Sequence, residues 1–289
     1  MKISGFTFLR NAEQLGYPYI ASIKSILPLC DEFVIAVGLS QDNTLEKLQS
    51  LADTEPKIRL IETTWNEKMT DRGFVYAQQK MIAQYNCRGD WVFYLEGDEV
   101  LHEEDIQPLK ERIKSVHNNP QVEAIVFDYY HFFGSPQWLA ISPGWYRKAP
   151  RILRNTIRSY SPDGLFFVIM NKNKKGRYPY AILANLPIYH YGHVRPSDKM
   201  QKKVEQVGKY WGHDNHFDHY QIDPQALAAF KGRHPAVVQD WLAQHAQSTF
   251  QPDPSYQPTS REKKHRWMMQ LEKLFGLELS KKHYRLVKR

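Results

Sequence analysis

The stretch Asp90-Trp-Val-Phe-Tyr-Leu-Glu-Gly-Asp-Glu-Val-Leu-His102 decides the fold of this chain. Large apolar residues follow Asp90 and stop abruptly at three acids, Glu96, Asp98 and Glu99. An apolar run of this length, bounded by turn residues, predicts a strand buried in a parallel sheet. Open α/β sheets bind their ligands at the carboxyl ends of such strands. The three acids are therefore candidates for a ligand site.

The spacing of the first two acids indicates a cation. Glu96 and Asp98 are two residues apart, so their side chains point the same way on an extended chain. Gly97 between them lets a diphosphate and a divalent ion approach the backbone closely. Carboxylate oxygens are hard ligands that suit Mg²⁺ or Mn²⁺. A strand end with solvated acids has the same spacing, and spacing alone does not separate the two interpretations.

The composition is that of a soluble globular protein, with 289 residues, 42% hydrophobic and 24% charged. This length allows one large α/β domain with an appendage. No run of eighteen apolar residues exists, so we expect no transmembrane helix. The first apolar segment is interrupted too soon, at Arg10, to be a signal peptide. Cys30 and Cys87 are interpreted as free thiols in a reducing cytoplasm.

Strands and helices alternate over the first part of the chain. Apolar runs predict strands at residues 2–9, 32–37, 58–61 and 91–95, with helices at 18–29, 45–51 and 72–86 between them. This alternation predicts right-handed crossovers and a parallel, doubly wound sheet with helices on both faces. The pattern then changes. Further strands are predicted at 124–133, 151–154, 165–170 and 188–191, with a turn at 134–136 and helices at 198–212 and 234–246.

Four segments together resemble the family 2-like inverting glycosyltransferases of the GT-A fold, which is Rossmann-like and α/β. Phe6–Asn11 looks like the first strand and nucleotide loop of that family, and Gly38–Thr44 is similar to its acidic turn of the DGSTDGT type. Arg72–Lys80 resembles the helix before the metal strand. Gly89–Asp98 looks like GEYILFLDADD. The resemblance covers roughly residues 3–195 and is strongest in 3–110.

The resemblance implies transfer of a sugar from a nucleotide-sugar, by default a UDP-sugar, with Mn²⁺ or Mg²⁺ as the cofactor. Asp98 is the safer metal ligand, because Glu96 stands where the family has its first aspartate. Glu96 can instead support the ligands or contact the ribose. The implied donor-binding residues are Phe8, Arg10, Asn11, Asp42, Arg72, Gln78, Glu96 and Gly97.

The segment His190-Tyr-Gly-His193 offers the last metal ligand. Many GT-A enzymes complete the site with a histidine from the C-terminal half, and the resemblance suggests one of these two. A neutral imidazole beside carboxylates makes a sensible mixed coordination shell. Residues 190 and 191 of a strand face opposite sides, so both histidines need not reach the metal. His190 is the preferred ligand, and a histidine with ordinary hydrogen-bond partners is the alternative.

Transfer to a hydroxyl requires a carboxylate that takes the acceptor proton. Asp163, in Ser161-Pro-Asp-Gly164, is the candidate catalytic base, although Pro-Asp-Gly is also an ordinary turn sequence. Glu99 and Asp128 are its competitors. Aromatic rings stack on sugars and arginine binds anions. On these grounds the predicted acceptor-binding residues are Trp138, Trp145 and Arg151.

The C-terminal tail carries much of the net charge of +8, with ten lysines and arginines in residues 261–289. Residues 261–276 interleave these charges with Trp267, Met268 and Leu271, a pattern that favours an anionic membrane interface. A helix docked on the domain, with its charges solvated, is the alternative. No nucleic-acid-binding motif accompanies the charge, so we expect no nucleic acid partner.

We therefore expect a glycosyltransferase domain over residues 1–250, with a nucleotide-sugar half at 1–118 and an acceptor half at 119–250. A linker at 251–260 and a basic amphipathic helix at 261–289 complete the expected organisation. The expected acceptor is a glycan or lipid-linked molecule of bacterial surface polysaccharide or lipopolysaccharide synthesis, at the cytoplasmic face of the plasma membrane.

Three alternatives remain. A nucleotidyltransferase would normally carry a glycine-rich phosphate loop, which Phe6–Asn11 does not resemble. A non-catalytic scaffold that binds carbohydrate or lipid is left open by the glutamate at position 96. The histidines His213, His216 and His219 could hold zinc.

Overall fold

A computed structural model describes residues 1–212, 216–217, 219–245 and 250–287. Its first half alternates strands with helices, as the apolar runs predict. The elements are β1 (Ile3–Leu9), α1 (Tyr19–Ile26), β2 (Glu32–Gly38), α2 (Thr44–Thr54), β3 (Ile58–Thr63), α3 (Phe74–Tyr85), β4 (Trp91–Tyr94), β5 (Glu99–Leu101) and α4 (Ile106–Val116).

The first four strands form a parallel unit. They lie in the order β3-β2-β1-β4, and every neighbouring pair is parallel. The order reverses between β1 and β4, because the chain first builds outward to β3 and then returns to the other side of β1. Ligands of open α/β sheets bind at such a reversal, beyond the carboxyl ends of the strands. The fold thus places the binding edge beside the acids that follow β4.

Helices cover both faces of this sheet because successive strand side chains point to opposite sides. On β2, Phe33, Ile35 and Val37 belong to a core that also holds apolar residues of α1, α2 and α4. Val34 and Ala36 of the same strand belong to a second core, which includes α3. The predicted mostly parallel α/β sheet with helices on both faces is confirmed.

The second half widens the sheet with antiparallel and mixed pairs. Its strands are β6 (Ala124–Phe133), β7 (Ser135–Ala140), β8 (Lys148–Arg154), β9 (Ser159–Tyr160), β10 (Val168–Met170), β11 (Gly176–Arg177) and β12 (Tyr180–His193). Strand β8 joins the parallel unit by pairing with β4, and β6 pairs with β8, both antiparallel. The turn predicted at 134–136 is tighter than expected, since β7 already begins at Ser135.

Strand β12 is much longer than the four residues predicted at 188–191. It runs parallel to β6, with a register shift between Leu183 and Pro187, and its last part also pairs antiparallel with β5. Strand β12 is long because it pairs with β6 on one side and with β5 on the other. The β5 pairing sets His190 opposite Glu99, so β12 delivers the histidine to the acids.

The remaining chain folds back over the domain. Its elements are α5 (Ser197–Trp211), β13 (Leu227–Ala229), α6 (Gln239–His245), α7 (Ser260–Phe275) and β14 (Arg285–Leu286). A reciprocal capping box of Thr259 and Glu262 starts α7, and Gly276, with a φ of +62°, ends it. The helix expected over 261–289 therefore stops at Phe275. Strand β14 then pairs with Tyr180 and Ala181 of β12, so the tail is joined to the sheet.

Among the described residues, no helix has the length and apolarity needed to span a bilayer.

Gly5 tests the close packing of the parallel unit. A Cβ at this position would clash with the buried ring of Phe33 and would lie 2.9 Å from Cys30 Sγ. We expect Gly5→Ala to lower the free energy of unfolding by about 1–3 kcal/mol, because an added methyl group strains a filled core. Urea denaturation measures the change. Ser50→Ala on the exposed side of α2 should stay within about 0.5 kcal/mol, and equal losses would contradict this account.

Candidate active site

A cleft opens at the carboxyl ends of β1 and β4. The segments after these two strands form its base, including Arg10 and the acids at 96 and 98. Tyr76 of α3 and the turn that carries Asp163 line one side, while Lys203 of α5 lines another. Catalytic and donor residues predicted from four separate parts of the sequence therefore meet in one cavity.

An aromatic group forms the wall of the cleft on the β1 side. The ring centroids of Phe8 and Tyr94 are 6.4 Å apart and their planes are nearly parallel. Trp65 and Tyr76 pack against Phe8 at 6.2 and 5.9 Å. The wall therefore presents an aromatic surface, and only Phe8 among its four rings was predicted from the sequence to bind the donor.

Glu96, Asp98 and His190 form a group that can hold a metal ion. Each offers one ligand atom, and these atoms lie within 4.8 Å of one another. His190 Nε2 is 3.6 Å from Asp98 Oδ1. Burial lowers the pKa of His190 well below its usual range, although the carboxylate of Asp98 opposes this. Carboxylate oxygens beside a neutral imidazole fit a divalent cation such as Mn²⁺ or Mg²⁺.

Two cations of the protein also reach Asp98. Lys203 Nζ and Arg195 Nη2 lie 3.2 and 3.3 Å from Asp98 Oδ2. Burial alone would raise the pKa of Asp98, but Lys203, His190 and Arg195 outweigh it and hold the pKa well below its usual range. Asp98 is therefore ionised, and the cleft keeps positive charge beside it. Neither cation was predicted from the sequence. The sequence places only Arg195 near a predicted ligand, two residues after His193.

Arg151 lies beneath the acids. Its guanidinium donates to Glu99 at 2.6 and 2.9 Å and to Glu96 Oε1 at 3.0 Å. The Tyr129 hydroxyl donates to Glu99 Oε1 at 2.8 Å. Burial and the neighbouring Glu99 raise the pKa of Glu96 to about 7. Because β8 runs beside β4, the side chain of Arg151 is buried against two carboxylates, and acceptor binding by Arg151 stays a prediction.

The turn that carries Asp163 is tied to α3. The buried ammonium of Lys80 donates to the carbonyl of Gly164 at 3.0 Å and lies 3.9 Å from the ring centroids of both Tyr94 and Phe167. Asp163 Oδ1 accepts from the backbone N–H of Leu165. Lys80 therefore fixes the turn to α3, and the carboxylate of Asp163 lies at the edge of the cleft.

Comparison with known proteins decides the family. The family model described as "Glycosyl transferase family 2" matches residues 9–170, more than half of the chain. The chain belongs to glycosyl transferase family 2. This match counts against the nucleotidyltransferase alternative. No curated protein has a significant match to the chain.

Solved structures of S. aureus TarS are similar to this chain. The fragment 1–349 is 15% identical with a TM-score of 0.43, and the match covers 72% of this chain and 64% of that chain. The same fragment in complex with UDP is 14% identical with a TM-score of 0.42, over 72% and 64% of the two chains. A longer TarS structure is 15% identical with a TM-score of 0.40, and the chain spans 39% of it.

The predicted donor-binding residues divide into two groups, those that line the cleft and those that lie outside it. Phe8, Arg10, Glu96 and Gly97 line the cleft. Arg10 is ion-paired with Glu67 and lies over the ring of Trp65, at 5.2 Å from its centroid.

The second group lies outside the cleft. Asn11 Oδ1 accepts from the backbone N–H of Gln41, and Asp42 accepts from those of Thr44 and Gln14, so both hold the loops after β1 and β2 together. Arg72 is exposed just before α3, and Gln78 is half-buried on that helix. Donor contact by these four residues stays a prediction.

The predicted acceptor residues Trp138 and Trp145 belong to one aromatic cluster around Phe133. Trp145 also reaches the histidines, with its ring centroid 5.2 Å from that of His131 and 5.0 Å from that of His193. It lines a groove between the β7–β8 connection and α7. Trp145 is thus close to the metal group, whereas acceptor binding by either tryptophan stays a prediction.

The zinc alternative falls partly outside the described residues, which include His216 and His219 but not His213. Within the described part of the chain, the cluster suited to a metal ion is the one of Glu96, Asp98 and His190, without His216 or His219.

Substitution of Arg151 tests how the protein stabilises Glu96 and Glu99. Removal of one partner leaves uncompensated buried charge, so Arg151→Ala should lower the free energy of unfolding by about 3–5 kcal/mol in urea denaturation. Arg158→Ala, on the exposed connection after β8, is the matched control and should change it by less than about 0.5 kcal/mol. Similar small effects of both substitutions would sink the claim.

Proposed function

We propose that this glycosyltransferase transfers a sugar from a nucleotide-sugar to a hydroxyl of a glycan or lipid-linked acceptor, with inversion, in the presence of Mn²⁺ or Mg²⁺. The observation that carries the proposal is the convergence of Glu96, Asp98, His190 and Asp163 in one cleft. This cleft lies where the strand order of the sheet reverses, the usual ligand site of the architecture.

In the proposed complex, the aromatic wall of Phe8, Trp65 and Tyr76 takes the nucleoside, since planar rings pack well on a base. Lys203 lines the cleft and faces the diphosphate, while the buried Arg195 pairs with Asp98 and adds positive charge behind it. A divalent ion, held by Asp98 and His190 with Glu96 beside them, would supply positive charge against the departing diphosphate.

The chemistry is a single displacement. The acceptor oxygen forms a bond to the anomeric carbon, and the bond from that carbon to the diphosphate oxygen breaks with its electron pair on the diphosphate. Asp163 takes the proton of the acceptor hydroxyl. Positive charge develops on the sugar ring, as in glycoside hydrolysis, and Lys203 and Arg195 stabilise the negative charge of the leaving group.

Thermal-shift screening against UDP, GDP, dTDP and CMP, each with and without Mn²⁺, is the first test. A ligand that binds the folded state raises its midpoint by mass action. We expect a metal-dependent shift with one nucleotide, UDP by default, and its loss in Asp98→Asn. Asp163→Asn should keep the shift but lower turnover of the matching nucleotide-sugar by about 10²–10⁴-fold. Asp71→Asn, an exposed acid outside the cleft, is the control.

The outcomes separate the parts of this proposal. A nucleotide shift without any metal effect would refute the metal role and leave donor binding intact. No shift with any nucleotide would favour the non-catalytic scaffold. Full turnover in Asp163→Asn would remove Asp163 as the base, and a retained anomeric configuration in the product, read by NMR, would contradict inversion.

We also propose that α7 docks on an anionic membrane at its cytoplasmic face, where the enzyme would meet acceptors of surface polysaccharide or lipopolysaccharide synthesis. One side of α7 is fixed to the domain: Arg147 pairs with Glu272 at 2.9 Å, and Arg266 pairs with Asp223 at 2.6 Å. The opposite side leaves large apolar side chains exposed, namely Trp267 (65%), Leu274 (73%) and Phe275 (62%).

Charge and redox state are consistent with that location. Lys263 and Lys264 lie on the exposed side of α7 near Trp267, and Lys273 adjoins Leu274. Apolar rings flanked by lysines are typical of helices that lie in an anionic interface. Cys30 and Cys87 are buried free thiols, as expected in a reducing compartment.

Vesicle sedimentation tests the membrane proposal. The double substitution Trp267→Ser with Leu274→Ser should weaken binding to anionic vesicles at least about 10-fold, because two side chains lose their burial in the interface. Melting temperature should stay unchanged, since both residues are exposed. Tyr85→Ser, which removes an exposed ring from α3, is the matched control. Equal binding of the double variant and the wild type would argue against this surface.

A further inference from the structure

A chain of hydrogen bonds runs from the protein interior to the metal group. His131 Nε2 lies 2.6 Å from the carbonyl oxygen of Tyr146, and His131 Nδ1 lies 2.8 Å from His190 Nδ1. Both imidazoles are buried, with 1% and 8% of their surface exposed. From the sequence, His131 is predicted only to lie within the strand at 124–133.

The positions of the protons follow from these two contacts. A carbonyl oxygen only accepts, so His131 Nε2 must carry a hydrogen that it donates to Tyr146. A neutral His131 then has a lone pair on Nδ1. The 2.8 Å contact between the two Nδ1 atoms needs one hydrogen, which must come from His190. A neutral His190 with its hydrogen on Nδ1 has its lone pair on Nε2.

The other arrangements place a hydrogen on His190 Nε2 and require a buried imidazolium on one of the two rings. Burial of a charge without full pairing costs several kcal/mol. An Nε2–H group would also be expected to donate to Asp98, but the 3.6 Å between His190 Nε2 and Asp98 Oδ1 exceeds a hydrogen bond. A lone pair opposite a carboxylate is the arrangement that a cation between them would stabilise.

We propose that His131 is a positioning residue, which holds His190 in the tautomer whose Nε2 lone pair faces Asp98, ready to bind a divalent cation. This inference rests on the proposed metal-dependent function. Packing restrains the His131 ring as well: it stacks on Tyr129, with 5.2 Å between centroids, and meets Tyr146 edge-on at 4.6 Å. Partners that orient a ligating histidine in this way typically change metal affinity 10–100-fold when removed.

Nitrogen-15 NMR of the metal-free protein, labelled in its imidazole rings, measures the tautomer directly. The His190 signals are identified by their loss in His190→Asn. We expect hydrogen on Nδ1 and none on Nε2 in the wild type. In His131→Leu, the buried Nδ1–H of His190 would lose its acceptor, so the hydrogen should move to Nε2, where Asp98 can accept it.

Titration with Mn²⁺, followed by the EPR signal of the free ion, measures the consequence. His131→Leu should bind Mn²⁺ about 10–100-fold more weakly than the wild type. His131→Asn is the conservative variant, because its amide oxygen can occupy the place of Nδ1 and accept from His190. It should keep the wild-type tautomer and an affinity within a few-fold of the wild type. Thermal melting of both variants checks that they are folded.

The outcomes distinguish this inference from the function on which it rests. Hydrogen on His190 Nε2 in the wild type would overturn the inference, whatever the metal affinity. Equal weakening in the leucine and asparagine variants would reduce His131 to packing and also overturn it. The expected tautomer without any Mn²⁺ binding would support the hydrogen-bond relay and refute the metal dependence of the proposed function.

Discussion

The crowding of three carboxylates at the end of β4 is the constraint on which the rest of the site depends. Glu96, Asp98 and Glu99 fall within four residues, and Glu99 is completely buried. Charges of one sign are stable at such a place only if opposite charges come close. Arg151 pairs with Glu96 and Glu99. Arg195 and Lys203 pair with Asp98.

The second half of the chain can be understood as the source of these partners. Strand β8 brings Arg151, β12 brings His190, and α5 brings Lys203 over the cleft. The pairing of β12 with both β6 and β5 fixes the depth at which the histidine enters. The cleft therefore draws on both halves of the chain, and elements beyond residue 119 complete it.

The C-terminal region links this site to a surface. Trp145 contacts the rings of His131 and His193 on one side and lines the groove beside α7 on the other. The ion pairs of Glu272 and Asp223 turn the polar side of α7 inward and leave Trp267 outside. An apolar, basic surface and an aromatic groove thus lie on the same part of the molecule.

Local patterns in the sequence determined the order of strands and helices, because the periodicity of apolar residues is set by neighbours along the chain. The family resemblance added Asp98, His190 and Asp163 as candidate site residues, and the fold brings them into one cleft. Only the tertiary structure decided the partners of these residues. Arg195 and Lys203 are 97 and 105 residues from Asp98, and His131 is 59 residues from His190. Such pairs depend on strand register and helix placement. The residues next to an arginine, lysine or histidine in the sequence therefore do not indicate which distant side chain it contacts.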